Sequence, residues 1–548
     1  MKSWVFFAAF GACAYAVAEP SDNSKQLILA DSAQPASSMI QQQSVDTLAK
    51  PLTVDGVTLA FPTHVERLMT LAKPLWIDPD DRLVFQEQLA LVALSGVSPL
   101  LEARLDSLLA LEEQEKWHAY DQVATDTLLL YVSYAENASE YGQTWFYQAP
   151  MRELSIKPST TSQDSLVSAI EMNALSQFID YYRPPHASRE AIRSALEELT
   201  EHSNQWVSLV SSDGLKRVGD LLPERDLIIE RMNMAGIDTS GVVHGLDWYD
   251  ESLKQAMVEF QRIHGLKQDA IIGPKTTRWL NVSPRYRKTK LALNLERARL
   301  WDKGNTTQVT VNVPSFEMQF SHSGQQLFES KVVVGKLRRP TPIMETQMKS
   351  VVLNPTWNIP WKIMVEDIIP KAKHDPSYLA RQGIDIIESW TSPQIIPPET
   401  INWETLHPRA FPFRMRQRAG YNNALGLYKF NTPNPRAIYL HDTPSKNLFD
   451  QDMRAFSSGC IRVEHAEEFA QALLDYQGIE RDKLLNASTN RHIRFNRQIP
   501  VMIIYQTAWL EDGVVHYRDD IYDLDAPYHE SNPRLIDIAV AGKAQTKH

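Results

Sequence analysis

Several large functional classes are excluded by what this 548-residue sequence lacks. It holds two cysteines, Cys13 and Cys460, too few for a disulfide framework or a cysteine zinc cluster. It contains no His-Glu-x-x-His and no Ser-x-x-Lys, so the common zinc-hydrolase helix and the serine acyl-enzyme signature are both missing. No metal or other cofactor is therefore expected. Positive charge is in deficit: 56 Lys and Arg against 67 Asp and Glu leave a net charge of −11. That balance argues against nucleic acid or an anionic membrane as the main partner. Beyond the first twenty residues no apolar run is long enough to span a bilayer, so no membrane span is expected.

The N-terminus does carry a short apolar run. Lys2, the stretch from Trp4 to Val17, and Ala16-Val17-Ala18 before Glu19-Pro20 read as a secretory signal peptide, residues 1–18, cleaved after Ala18. Cleavage there removes Cys13 and leaves Cys460 alone. A single thiol in an exported chain has no intramolecular disulfide partner, which points to a retained reactive function. Phe10-Gly11-Ala12-Cys13 distantly suggests a lipoprotein site with Cys13 acylated, but Phe10 fits it poorly and the apolar run continues past it.

The thiol has a histidine nearby. In Ala437-Ile438-Tyr439-Leu440-His441-Asp442 the apolar Ile438 and Leu440 alternate with Tyr439 and His441, a strand that puts the two rings on one face, expected to be the open one. Cys460 follows 19 residues after His441, in Ser457-Ser458-Gly459-Cys460-Ile461-Arg462-Val463. The polar segment between them, with Pro444 and Ser445, can turn the chain back so that thiol and imidazole meet. His441 would draw the proton from Cys460 to give a nucleophilic thiolate. Gly459 would let backbone N–H groups reach a substrate oxyanion.

The remaining chain divides by composition and periodicity into a multidomain α+β protein. Residues 19–57 are rich in Ser, Gln, Ala and Asp and read as a flexible leader. Residues 58–215 read as a helical scaffold, with Leu101, Leu105 and Leu108 on one face, and Ala191, Ala195 and Leu199 on another after an N-cap at Ser188. Trp117, Trp145 and Trp206 are assigned to core packing rather than to a groove. In 216–285, Leu253, Met257 and Phe260 share a helix face, Gly265 is placed as a left-handed cap, and Gly273-Pro274 opens another helix. A connector helix (286–306) leads to alternating strands at 308–313 and 331–335, the start of a mostly β domain, 307–522. Within it, residues 361–413 break the strand pattern, with Pro370, Pro376, Pro393, Pro397 and Pro398 among them, and read as a lid insertion. A helix over 464–476 buries Phe469, Ala470 and Leu473, a last strand runs from Ile499 to Tyr505, and the tail 523–548 is unassigned.

These residues resemble two families. Tyr439 to Ser445 and Ser457 to Val463 are similar to the active-site signature of the YkuD-type L,D-transpeptidases, in the long form found in Gram-negative periplasms. Asn354 to Pro360, Asn423 to Gly426, Thr507 to Trp509 and Tyr517 to Asp520 resemble further blocks of that family in the same order. Residues 216–285 look like the small three-helix peptidoglycan-binding domain, with Ala270 where that family usually has glycine. The resemblance implies a periplasmic enzyme acting on peptidoglycan stem peptides and glycan strands. It implies that Cys460 attacks the bond between the L-centre of diaminopimelate and terminal D-alanine, and that an amine of a second stem resolves the thioester into a 3–3 cross-link. It also implies that the Asp442 carbonyl orients His441, and that carbapenem-type β-lactams are covalent inhibitors.

Trp357 and Tyr439 are expected to wall the stem groove. Arg462 or Arg454 is expected to meet a stem carboxylate, and Ser457 and Ser458 count among the substrate-binding residues. Many shorter members have histidine where Ser458 stands and asparagine where Arg462 stands. Water in place of the amine would make the protein a carboxypeptidase or endopeptidase. A lipoprotein lysine would make it an attachment enzyme, and a vestigial His–Cys pair would leave a wall-binding scaffold.

Overall fold

The computed structural model describes residues 52–71, 74–201, 214–301, 304, 306–484 and 488–526. The expected signal peptide, Cys13, Trp206 and nearly all of the C-terminal tail lie outside the described residues.

Prolines at the first turn start three of the N-terminal helices, Pro62–Leu68, Pro79–Ser95 and Pro99–Glu113, where the missing N–H has no partner to lose. Leu101, Leu105 and Leu108 are fully buried, and the Ser188 hydroxyl caps Arg189–Glu201 through the Ala191 N–H. Trp145 is buried and stacks on Tyr134, whereas Trp117 is exposed beneath Arg82. The end of the stretch read as leader is ordered: Thr53–Val54 pairs with Val57–Thr58 around Asp55-Gly56, both at positive φ. An Asp-Gly turn between apolar residues is a strong hairpin signal that average composition hides. Asp126 then accepts the Ala60 and Phe61 N–H groups beside it.

Three helices, Arg225–Asn233, Glu251–Ile263 and Pro274–Leu280, follow. Gly265 adopts φ +63° after the second. Ala270 takes the left-handed conformation too, at φ +57°. It is held there by its N–H to Gln261 Oε1 (2.9 Å) and by the Tyr249 hydroxyl on its carbonyl (2.8 Å).

The segment read as a connector is instead a buried central helix, Pro284–Ala298. Its charges are inside because they are paired: Lys290 and Arg297 both reach Asp525 at 2.6 Å, and Glu296 accepts the Tyr134 hydroxyl at 2.7 Å. Asp525 is fully buried, so the first residues beyond Tyr522 are part of the folded body.

Among the described residues, eight strands of a nine-stranded sheet close on themselves, because Gln325–Gly335 pairs with Glu317–His322 on one side and with Ile461–Val463 on the other. Between those two lie Leu440–His441, Tyr428–Asn431, Met344–Leu353, Arg491–Ile504 and Thr307–Asn312. Arg491–Ile504 is longer than expected, since its charged first half pairs with Met344–Leu353 before a register shift between Arg494 and Ile499. The helix Ala466–Gln477 buries Phe469 against Phe320, Phe328 and Phe430.

Residues 361–413 are a small folded unit rather than a bare loop. Trp357–Asn358 pairs with Arg414–Gln417 at its root. Ile359, Met364, Ile369, Leu379, Trp403 and Met415 share a hydrophobic cluster of their own. Several of its prolines stand at element starts, such as Pro370 in Ile369–His374 and Pro398 in Pro398–Thr400, so their density in part reflects many short elements.

Candidate active site

Sheet alternation builds the site. Phe430 pairs with Leu440, and Leu440 with Ile461, on the face that meets the core. The next residue on each strand therefore turns to the other face. There Lys429, His441 and Arg462 stand in one cross-strand row. Ile461 N–H donates to Tyr439 O at 3.0 Å, so Tyr439 and Cys460 lie side by side, two positions back along their strands.

His441 is buried, contrary to the open face expected of its strand. Its ring is flanked by Lys429 and Arg462 in the row and lies 5.7 Å from the Tyr439 ring. Nδ1 bonds the Asp442 carbonyl at 2.5 Å, which assigns the proton to Nδ1 and leaves Nε2 as an acceptor. Burial first, then the Arg462 and Lys429 charges, push the imidazole down to about 3 against the pull of that carbonyl. It is a neutral ring.

Cys460 is half-buried and unpaired. Its Sγ lies 3.7 Å from the Ala437 carbonyl. Burial pushes the thiol up, while the Tyr439 N–H and hydroxyl, then Lys429 and Arg462, favour the thiolate. The hydrogen bonds described for Sγ run to Ala437 and Tyr439, so His441 and Cys460 share a face without a direct bond between them. Trp357 bonds the Tyr439 side chain in turn, linking the root of the insertion to the thiol.

The turn before Cys460 differs from expectation in one respect. Gly459 N–H already donates to Ser457 Oγ at 3.1 Å, and Ser457 donates to the Cys460 carbonyl at 2.6 Å. Gly459 is needed for its φ of +114°, with its carbonyl held by Thr341 at 2.8 Å. Among the described residues no hydrogen bond uses the Cys460 N–H.

Asp442 is fixed at both ends. Its carboxylate accepts Leu427 N–H at 2.9 Å and Lys446 Nζ at 2.8 Å. A Cβ on Gly426, at φ +57°, would collide with Asp442 Oδ2.

Ser458 accepts from Arg339 at 2.8 Å. Arg454 is not available to a stem carboxylate: it is buried and donates to the carbonyls of Val332, Gln451 and Phe316. Among the described residues Arg462 has no such partners, and its Nε is buried and unbonded. Sequence reasoning missed Lys429 and Arg339. A lysine inside the apolar run Leu427-Tyr428-Lys429-Phe430 was the available signal for the first; nothing local marks the second. Among the described residues no group of three or more His, Cys, Asp or Glu side chains is arranged to hold a metal ion.

Residues 306–483 match the family model "L,D-transpeptidase catalytic domain" (YkuD), and residues 233–280 match "Putative peptidoglycan binding domain". A Haemophilus influenzae protein named "Putative L,D-transpeptidase" is 29% identical over 473 residues, which span 85% of this chain and 79% of that one. Two solved structures are also similar. An L,D-transpeptidase from Mycobacterium smegmatis superposes with TM-score 0.18 and 11% identity, covering 36% of this chain and 58% of that chain, less than two thirds of its length. One from Xylanimonas cellulosilytica (residues 123–326) superposes with TM-score 0.15 and 11% identity, covering 54% of this chain and all of that chain.

Proposed function

With residues 306–483 matching the YkuD L,D-transpeptidase model and residues 233–280 a peptidoglycan-binding model, we propose that this protein is a periplasmic transpeptidase that forms direct diaminopimelate–diaminopimelate cross-links from tetrapeptide stems. The observation that carries the proposal is the pairing of one thiol with a neutral imidazole on a single sheet face, the imidazole held through Nδ1 by Asp442.

His441 Nε2 takes the proton of Cys460, and Sγ attacks the carbonyl of the diaminopimelate L-centre. The Cys460 N–H meets the oxyanion. Collapse of the tetrahedral intermediate breaks the bond to D-alanine, whose amine leaves with the proton from His441, and a thioester remains. The side-chain amine of a second stem then attacks the thioester, and the thiol is regenerated as the new amide forms. One peptide bond is exchanged for another, so no ATP is required. Carbapenem-type β-lactams would acylate the same sulfur.

The test incubates the protein and its Cys460→Ala variant with purified disaccharide-tetrapeptide and follows the products by mass spectrometry. A dimer one D-alanine lighter than two monomers, absent in the variant, is expected. Tripeptide alone would mean that water resolves the thioester, and unchanged substrate would remove the enzymatic reading.

A further inference from the structure

The row Lys429–His441–Arg462 contains two cations and no carboxylate. Among the described residues neither Lys429 nor Arg462 makes a hydrogen bond or an ion pair with a protein group, and Arg462 Nε is buried without a partner. The acid nearest in sequence, Asp442, is turned away to Lys446 and the Leu427 N–H. Lys429 Nζ instead rests 4.3 Å from the centre of the Tyr439 ring, beside the thiol.

Both cations are partly desolvated. Buried or half-buried charges are ordinarily paired, and here the arrangement is missing an anion. The outer strands of the row are two strand spacings apart, about 10 Å, and both side chains are long enough to converge on one group between them. A guanidinium and an ammonium in that disposition suit a carboxylate, the first through its fork and the second as a point charge.

We propose that Lys429 and Arg462 form a cradle for a carboxylate of the acyl donor, set beside the carbonyl that Cys460 attacks. The identity of that donor rests on the transpeptidase reading above. Two carboxylates of a tetrapeptide stem lie nearest the attacked carbonyl: that of the terminal D-alanine, which lies just beyond the scissile nitrogen, and that of the diaminopimelate D-centre. Lys429 is a substrate-binding residue in this scheme, on a position the sequence analysis passed over.

The cradle also acts on the base. While empty, the two cations oppose any positive charge on His441, and a bound carboxylate offsets them. The imidazole then becomes a better proton acceptor only when a donor is in place, which restrains the thiolate from reacting in an empty site.

Alkylation of Cys460 tests the cradle without requiring any cross-linking activity. Iodoacetate carries a carboxylate and iodoacetamide does not, yet both lose iodide to the same sulfur. The ratio of their rates, measured on the intact protein against N-acetylcysteine, is expected to favour iodoacetate at least fivefold more than in the free thiol. That preference should fall at least fivefold in Lys429→Met and in Arg462→Met and be retained in Lys429→Arg. The iodoacetamide rate of each variant, with its melting temperature, reports that the site is still folded. A ratio equal to that of N-acetylcysteine, or one unchanged in both methionine variants, would overturn the cradle even if cross-linking is observed.

Amidated stems then identify the carboxylate. Amidating either the terminal D-alanine or the diaminopimelate D-centre should raise KM about tenfold for one of the two and not for the other. No change with either would also overturn it.

Discussion

Arg339 donates to Ser458 Oγ at 2.8 Å across 119 positions of sequence. The same guanidinium holds Asp367 at 2.5 Å and reaches Glu366, both in the insertion. One buried arginine thus ties the folded unit at 361–413 to the turn that presents Cys460.

Arg339→Gln removes this tie and leaves the core of the insertion alone. If the insertion shields the thioester from water, the variant should raise the ratio of tripeptide to cross-linked dimer several-fold. Two of its acidic partners are partly exposed, so the loss of stability should stay near 1–2 kcal/mol. Mass spectrometry of the products decides, and equal ratios in the two proteins would separate the insertion from the resolution step.

Gly426→Ala tests how firmly Asp442 must be seated. The added methyl group would overlap the Asp442 carboxylate, at a backbone conformation that alanine adopts reluctantly. Because the Asp442 carbonyl holds His441, kcat should fall at least tenfold, and the rate of Cys460 alkylation should fall with it. A variant that melts within about 1 °C of the parent and keeps its activity would show that the Asp442 contact is dispensable.

The buried imidazole makes stability sensitive to acid. His441 titrates at about 3 in the folded chain and at about 6.5 when unfolded. Between those values the unfolded chain binds the additional proton, so stability is fully present above pH 6.5 and is lost as pH falls. From pH 6.5 to 5 the loss assignable to this ring is about 2 kcal/mol. His264 and His516 are lowered by burial as well and act with the same sign. Denaturant titrations of the parent and of His441→Gln at pH 7 and 5 should therefore differ by that amount, and parallel losses would remove the assignment.

Asp525 is a carboxylate shared by Lys290 and Arg297. Asp525→Asn keeps the shape and removes the negative charge that both buried cations meet. The expected destabilisation is about 3–5 kcal/mol, read as a lowered melting temperature and denaturant midpoint. A loss below about 1 kcal/mol would mean that the central helix is stabilised by its apolar contacts alone.

Local chemistry was legible where a residue type has one physical use. Ile438 and Leu440 alternating with Tyr439 and His441 specified a strand, Gly459 specified a tight turn before the thiol, and Gly265 and Gly273-Pro274 specified helix ends, because backbone conformation at each depends on the residue itself. The order of motifs pointed to the same two families whose models match residues 306–483 and 233–280.

Whatever depended on a partner distant in sequence was decided by the tertiary structure. Lys290 and Arg297 read as part of a connector helix and Asp525 as part of an unassigned tail, and only their meeting makes a buried core helix. The amide of Gly459 read as an oxyanion donor until Ser457 took it, and Arg454 read as a free cation until three carbonyls did. Lys429 became part of the site because strand register sets it across from His441. Backbone preference is local and is written into the chain; burial and charge compensation belong to pairs, and the fold alone determines which pairs form.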